Sequence, residues 1–405
     1  MRTNGASRRV RDTRTTLVAG VILVVAAAGL AACVADNTVT ASTPAESGGA
    51  PTPTPTPLTA AEQLLADNAD IEGACAVSSV LDGATLDPQL QVQVQDRLYD
   101  HLPIPRQDDR AFAGWYADEA DASSASADPA SVAGNPAVRV NGSDLVACTD
   151  QQVTLYGAWT TPDVVAAVGA RVPILMYHQF TDKPEGESGW LRGNYSYIED
   201  YRASMQYIKD QAFYLPTWDE LSAFIDGALY LPDHAVIVTD DDADPTWLTM
   251  AAPINEGLQV MATSFDITGD GAAQQNRFIL PRSHTHGMHG AGANGKGQMV
   301  NLSPAEIAAD MQASATALEG IGVSAAGAHE VMAYPFGHYD DRSKEGVREP
   351  GSRWHARSSS ATSRSAATSS PPLHPHQLRH GGPRREEAHR MTRSARAGAH
   401  DNRGA

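Results

Sequence analysis

The sequence predicts an α/β fold, and three observations carry that expectation. From Arg171 onward, strand-like apolar runs alternate with amphipathic helical stretches. Residues 235–239 (AVIVT) are continuously apolar, the texture of a strand covered on both faces of a parallel sheet. Ser303-Pro304-Ala305-Glu306 is a capping box with proline at the first helical position, so a helix opens there and runs to about Gly320. Such alternation implies a parallel sheet or barrel with its chemistry at the C-terminal ends of the strands.

The elements follow in order. Residues 172–177 (VPILMY) read as a buried strand, and residues 197–212 as an amphipathic helix with Tyr201, Met205, Ile208 and Ala212 on one face. A second helix is expected over 217–228, the strand at 235–239, a helix over 246–257 and a strand over 260–265. After the helix that opens at Ser303, residues 331–334 read as a further strand. The catalytic-type region is thus 171–351. Residues 58–170 form a small N-terminal appendage of unknown role, with a helix at 58–68, short strands at 137–140 and 152–159, and a flexible loop over 118–136. No catalytic constellation stands out in it.

The first 33 residues read as a targeting segment. Arg2, Arg8, Arg9, Arg11 and Arg14 precede an apolar run over 16–32 that ends Leu30-Ala31-Ala32-Cys33. A basic head, a short apolar run and small residues before the cut describe a secretory signal. A cysteine directly after the small residues resembles a bacterial lipobox, which implies a lipid anchor on Cys33 and a location on the outer face of the cell membrane. The alternative is an uncleaved membrane helix, for which the run is barely long enough. Residues 34–57 are rich in alternating Thr-Pro and read as a semi-rigid linker.

Cys75 and Cys148 remain. In an exported chain an even pair is most simply a disulfide, which would stabilise the fold by about 4 kcal/mol in the chain-entropy account.

Charge divides the chain into regions. Residues 33–351 carry 15 Lys and Arg against 44 Asp and Glu. An acidic body of this kind excludes nucleic acid and disfavours a polyanionic substrate, while a neutral or cationic glycan suits it. Residues 352–405 hold ten Arg and six His with no Ile, Val or Phe. Such a tail cannot bury a core and is expected to be disordered. It is either a basic interaction tail or, our preferred reading, the frame-shifted end of a GC-rich gene.

Asp240-Asp241-Asp242-Ala243-Asp244 follows the expected strand directly. Four carboxylates in five residues repel one another. They are either a solvated turn or a site where a bound cation offsets the repulsion. Ser283-His284-Thr285-His286-Gly287-Met288-His289 adds three histidines in six positions.

Taken with VPILMYHQF (172–180), VIVTDDDAD (236–244) and AYPFGHYDD (333–341), the histidine segment resembles the polysaccharide deacetylases of the NodB-homology family. The first and last segments lean towards the poly-N-acetylglucosamine branch. The resemblance implies a distorted (β/α) barrel and metal-dependent N-deacetylation of an N-acetylglucosamine-containing surface or wall glycan.

Carried over by position, it makes Asp241 the catalytic base and Asp242 a metal ligand. A one-residue slip, with Asp240 as base and Asp241 as ligand, is the alternative. The family's usual His-Thr-x-x-His spacing would end at Met288. The second histidine ligand is therefore read as His289, with His284 the first and His286 a rim residue or alternative ligand. Two imidazoles and a carboxylate suit Zn2+, with Co2+, Ni2+ or Mn2+ as alternatives. The backbone amide of Phe336 is the expected oxyanion donor, Tyr334 lies beside it, and His178 either lines the site or packs at its rim. Ala243 stands where the family usually has Gly, Asp240 where it has Phe and Ala333 where it often has Arg. The family's late Leu-x-His pattern has only Leu378-Arg379-His380 as a counterpart, inside the tail. The barrel is therefore expected to be incomplete at its C-terminus and its activity weak. The alternative is an inactive, glycan-binding surface lipoprotein. A redox or structural envelope lipoprotein using only Cys75 and Cys148 would leave the histidine segment unexplained.

Overall fold

A computed structural model describes residues 57–128, 138–272 and 275–348. Cys33, the linker as far as residue 56 and the tail from residue 352 lie outside the described residues, and the expectations for them stay expectations.

The N-terminal part begins with helix α1 (Ala60–Asp67). The Glu62 amide donates to Thr59 Oγ1 and the Thr59 amide donates back to the Glu62 carboxylate. Five strands follow: β1 (Ala74–Val80), β2 (Leu90–Val94), β3 (Ala111–Tyr116), β4 (Arg139–Val140) and β5 (Gln152–Thr160). They form one mixed sheet in the order β2-β1-β5-β3-β4. Cys75 on β1 is bonded to Cys148, 73 positions away, just before β5. Strands β1 to β3 escape the sequence reading because their alternation is masked by small residues such as ACAVSSV.

Two readings in this part need correction. Residues 119–127, expected within a flexible loop, are helix α2 (Glu119–Ala127), whose first turn is capped by the Asp118 carboxylate accepting from the Ala120 amide. An Ala/Ser segment has good helix propensity without an amphipathic stripe, so only Ala122 and Ala125 are buried and periodicity misses it. The strand expected at 137–140 is reduced to the two residues of β4.

The second part is built on parallel strands. Strand β6 (Ile174–Tyr177) is followed by a short pair, β7 (Gln179–Thr181) and β8 (Tyr195–Tyr197). Then come β9 (Ile237–Asp242), β10 (Ala262–Asp266) and β11 (Ile279–Ser283), and the order is β11-β10-β9-β6, parallel throughout. The α/β class is as expected. Strand β6 is not buried on both faces: it ends the hydrogen-bonded order, and Ile174 and Met176 are 40% and 42% exposed. Strand β11 was unexpected because it contains Pro281, which lacks the ladder donor; the edge of the sheet tolerates it. The strand expected at 331–334 is a single bridge between Ser283 and Met332, because the chain turns at once into Pro335–Gly337.

One face of this sheet packs on the helix Ile198–Asp210 and on Ala252–Leu258. Tyr201, Met205 and Ile208 meet Val236, Val238 and Trp247 there. Ala212 is excluded from that face, since the helix has ended and Ala212 sits exposed at φ +49°. A separate cluster of Met288, Met299, Ile307, Met311 and Leu318 joins the histidine loop to the helix Pro304–Gly320.

A third cluster mixes Val77, Phe112, Trp115 and Leu155 of the first sheet with Tyr214, Leu229 and Leu231. A buried ion pair runs beside it. Arg139 of β4 donates to the Tyr230 carbonyl (2.7 Å) and to Glu220 Oε1 (3.3 Å), and lies 4.7 Å over the Tyr214 ring. Glu220 is also the capping-box acid of the helix Trp218–Ile225, and accepts from the Tyr214 hydroxyl. Gly114 opens the space, since a Cβ there would run into the Arg139 side chain. Removing Glu220 would strand a fully buried guanidinium, and breaking such a pair costs about 3–5 kcal/mol. Glu220→Ala is therefore expected to lower the urea midpoint steeply, while Glu199→Ala, which removes an exposed partner of Arg202, should leave it in place. Equal midpoints for the two variants would remove the pair from the list of structural supports.

Candidate metal centre

The site forms at the C-terminal end of β9, between β6 and β10. Hydrogen bonding carries this strand further than its apolar run: Asp240 pairs with Ser264, Asp241 with Phe265 and Asp242 with Asp266. The acids are thus part of the sheet. The strand ends by kinking through Asp242 (φ +85°) and Ala243 (φ +51°), both left-handed. That conformation favours glycine, so both side chains are carried there against the intrinsic preference of the backbone.

The kink turns the Asp242 carboxylate towards the histidine loop. Asp242 Oδ1 lies 3.1 Å from His289 Nε2 and 3.4 Å from His284 Nε2. Metal–ligand bonds of about 2.0–2.1 Å at tetrahedral to octahedral angles separate the ligand atoms by about 3.0–3.4 Å. The three side chains therefore fit one divalent ion. The chemistry of the donors agrees: Asp242 Oδ1 is buried and makes no properly directed hydrogen bond. The His284 Nδ1 faces the Ala333 carbonyl at 3.1 Å, which fixes the tautomer whose Nε2 lone pair is available as a ligand.

Electrostatics separates the three neighbouring acids. Burial pushes the Asp242 carboxyl up, but the two imidazoles outweigh it and hold it below the usual carboxylate range. Burial lowers and the Asp242 and Asp241 carboxylates raise His284, with a net upward shift. Asp241 is pushed up by burial, against the lowering influence of His284 and His178. Asp240 is 0% exposed and held well above its ordinary value by burial and by its two acidic neighbours. It lies on the face of β9 that carries Val236 and Val238 towards the helix layer with Tyr201.

The remaining expected residues fall around this group. His178 follows β6 directly, feels the Asp241 charge, and has a buried Nδ1 without a hydrogen-bond partner among the described residues. Phe336 is left-handed (φ +58°), 44% exposed, and its ring lies 4.5 Å from that of His289. The Tyr334 ring lies 4.8 Å from that of Tyr339, tilted by 32°. His286 points away from the three ligands and meets Thr268 Oγ1 at 3.1 Å. Of the histidines, the structure brings 284 and 289 together and leaves 286 apart.

Two features had no clear signal in the sequence. Asp266, opposite Asp242, is buried and pushed up to about 7, with Ser264 and Gln275 bonding to it. A second group, His101, Asp219 and Glu330, lines a cavity of about 420 Å³ that does not include the metal-centre residues. Its carboxylates already have side-chain partners, Asp219 in His101 Nδ1 (2.7 Å) and Glu330 in Arg282 Nε (2.7 Å).

No family model matches the chain, and no curated protein matches it. Solved structures are similar over less than half of it. A de-N-acetylase from Aggregatibacter actinomycetemcomitans is 16% identical, with 44% of this chain and 84% of that one covered at a TM-score of 0.36. The Streptococcus pyogenes deacetylase PplD, solved in complex with acetate, is 22% identical over 44% and 79% of the two chains, with a TM-score of 0.35. IcaB from Ammonifex degensii is 20% identical over 44% and 80%, with a TM-score of 0.36.

Proposed function

We propose that the chain is a metal-dependent N-deacetylase of an N-acetylglucosamine-containing surface or wall polysaccharide, exported and held at the membrane through Cys33. The observation that carries this reading is the meeting of Asp242, His284 and His289 around one point, with Asp241 next along the same strand. It rests as well on the four sequence segments named above, and on an acidic surface that suits a neutral glycan.

Asp242, His284 and His289 would hold the ion, with zinc the natural fit for two imidazoles and a carboxylate. When bound, the ion supplies Lewis-acid polarisation of a carbonyl and lowers the pKa of a water. Asp241, buried and flanked by His284 and His178, serves as the general base that takes the attacking water's proton. The amide of Phe336 donates to the oxygen of the acetamide as negative charge develops there. The exposed Phe336 ring beside His289 offers an apolar wall to the sugar or its acetyl group. Cleavage of the C–N bond releases acetate and leaves a free amine on the sugar.

The alternative reading is a glycan binder without turnover: the match to the family's late histidine, Leu378-Arg379-His380, lies outside the described residues. Acetate release from N-acetylated glucosamine oligomers separates the two.

Three outcomes are expected. The purified protein should hold close to one equivalent of zinc by elemental analysis, and His284→Ala should lose it; zinc retained in both His284→Ala and His289→Ala would remove the site. Asp241→Asn should keep the metal and lose acetate release by about a hundredfold or more, the usual worth of a positioned base. An undiminished rate would take the base assignment away from Asp241. Expressed in a bacterium, the protein should fractionate with membranes and Cys33→Ser should release it; full retention would argue for the uncleaved helix.

A further inference from the structure

The two histidine ligands are separated by four residues, and something must bring His289 back to His284 across that span. The loop is strained at its start, where β-branched Thr285 is left-handed at φ +73°. Such conformations persist where the surroundings impose them. On one side the loop's carbonyls are held by the sheet end: the Thr268 amide donates to the Thr285 carbonyl (3.1 Å) and the Gly269 amide to the His286 carbonyl (2.9 Å). On the other side its amides converge on a single carboxylate. The His286 amide donates to Asp310 Oδ1 and the Gly287 amide to Asp310 Oδ2, both at 2.7 Å.

We propose that Asp310 is the positioning residue that sets His289 for the metal, an inference that rests on the metal-centre reading. Bonds to an ionised acceptor are stronger than neutral ones, and each carboxylate oxygen here takes one of two successive amides. The carboxylate lies so close to the chain that a Cβ at residue 287 would stand 3.3 Å from Oδ2, so Gly287 gives it room. Asp310 is carried by the helix Pro304–Gly320, whose next residue Met311, with Ile307, packs in the cluster that swallows Met288. Met288 is 1% exposed and immediately precedes His289. One helix therefore supplies the clamp for the middle of the loop and the socket for its end. The position that carries the family's usual second histidine is used here as an anchor, and the ligand moves one residue on.

Asp310→Asn keeps the size of the side chain but presents an NH2 group to one of the two amides. Loss of a group that orients a metal ligand typically weakens binding 10–100-fold. In the full chain, zinc affinity measured by competition with a chromophoric chelator should fall by about that range in Asp310→Asn. The visible spectrum of the cobalt-substituted protein should shift, which a merely structural role for Asp310 would not cause. Gly287→Ala, which keeps the carboxylate and crowds its approach, should weaken zinc binding in the same direction and serves if Asp310→Asn does not fold. Wild-type affinity and an unchanged cobalt spectrum in the folded variant would overturn the role of Asp310 while leaving the metal centre standing. A wild-type protein that binds no zinc, with His284→Ala no different, would bring down the metal centre itself and this role with it.

Discussion

The site depends on one carboxylate oxygen. Asp242 Oδ1 has to sit where two imidazole nitrogens can meet it, at the end of a strand whose preceding two residues are also acids. Three carboxylates in sequence cannot all stay ionised in a buried setting without compensation. The strand's alternation supplies the first part of the answer, since Asp240 faces the helix layer and Asp241 the opposite side. Burial and its two acidic neighbours push the Asp240 carboxyl up, while the two histidines hold the Asp242 carboxyl below its usual range. The left-handed kink at 242–243 delivers the Asp242 carboxyl to the loop. A non-glycine residue in such a conformation costs on the order of 1–3 kcal/mol, which the surrounding contacts must offset.

The rest of the second sheet can be understood as the frame for that arrangement. Registering β9 against β10 places Asp266 opposite Asp242, and β11 leads straight from the pair Asp266–Ser283 into His284. The His284 amide donates to the Asp266 carbonyl and its ring nitrogen faces Ala333, so both its backbone and its ring are fixed by neighbouring segments. The buried Arg282–Glu330 pair ties β11 to the stretch that carries Ala333. Backbone pairing, more than side-chain packing, sets where His284 stands. His289 is placed differently, after a loop whose amides donate to Asp310 on the helix Pro304–Gly320.

How much of this was legible in the sequence varied with the kind of interaction. A capping box is local, and the one at Ser303 marks the helix start directly; the structure adds capping boxes at Thr59 and Thr217, where helices were expected on their pattern alone. Continuous apolar runs marked β9 and β10, but not where β9 ends, because the ladder to β10 continues through residues that on composition alone belong in a solvated turn. β11 was hidden by its proline and α2 by its lack of a stripe. The candidate ligands were reached through the resemblance of four segments taken in order, with His289 read in place of the usual spacing that ends at Met288. The contacts of the loop between them were not: Asp310 lies 21 positions beyond His289 on an ordinary helix, and nothing in a helical pattern marks one half-buried acid as a partner of distant amides.

The same contrast explains the polar seam in the helix–sheet interface. Asp240, Ser264 and Asp266 lie side by side on the face of the sheet that elsewhere packs Val236, Val238 and Ala262 against helices. Ser264 and Asp266 are satisfied, with Gln275 bonding to both and Trp247 donating to Gln275. Asp240 is not matched in this way; neither of its oxygens makes a well-formed hydrogen bond among the described residues. An apolar side chain of similar size would pack there at lower cost, since an unsatisfied buried polar group costs about 1–3 kcal/mol. In the same helix layer Tyr201, Phe180 and Trp247 are in edge and tilted contact with one another. Burial pushes the Asp240 carboxyl up while the two imidazoles hold the Asp242 carboxyl down, so two acids two residues apart on one strand are driven in opposite directions by what each faces.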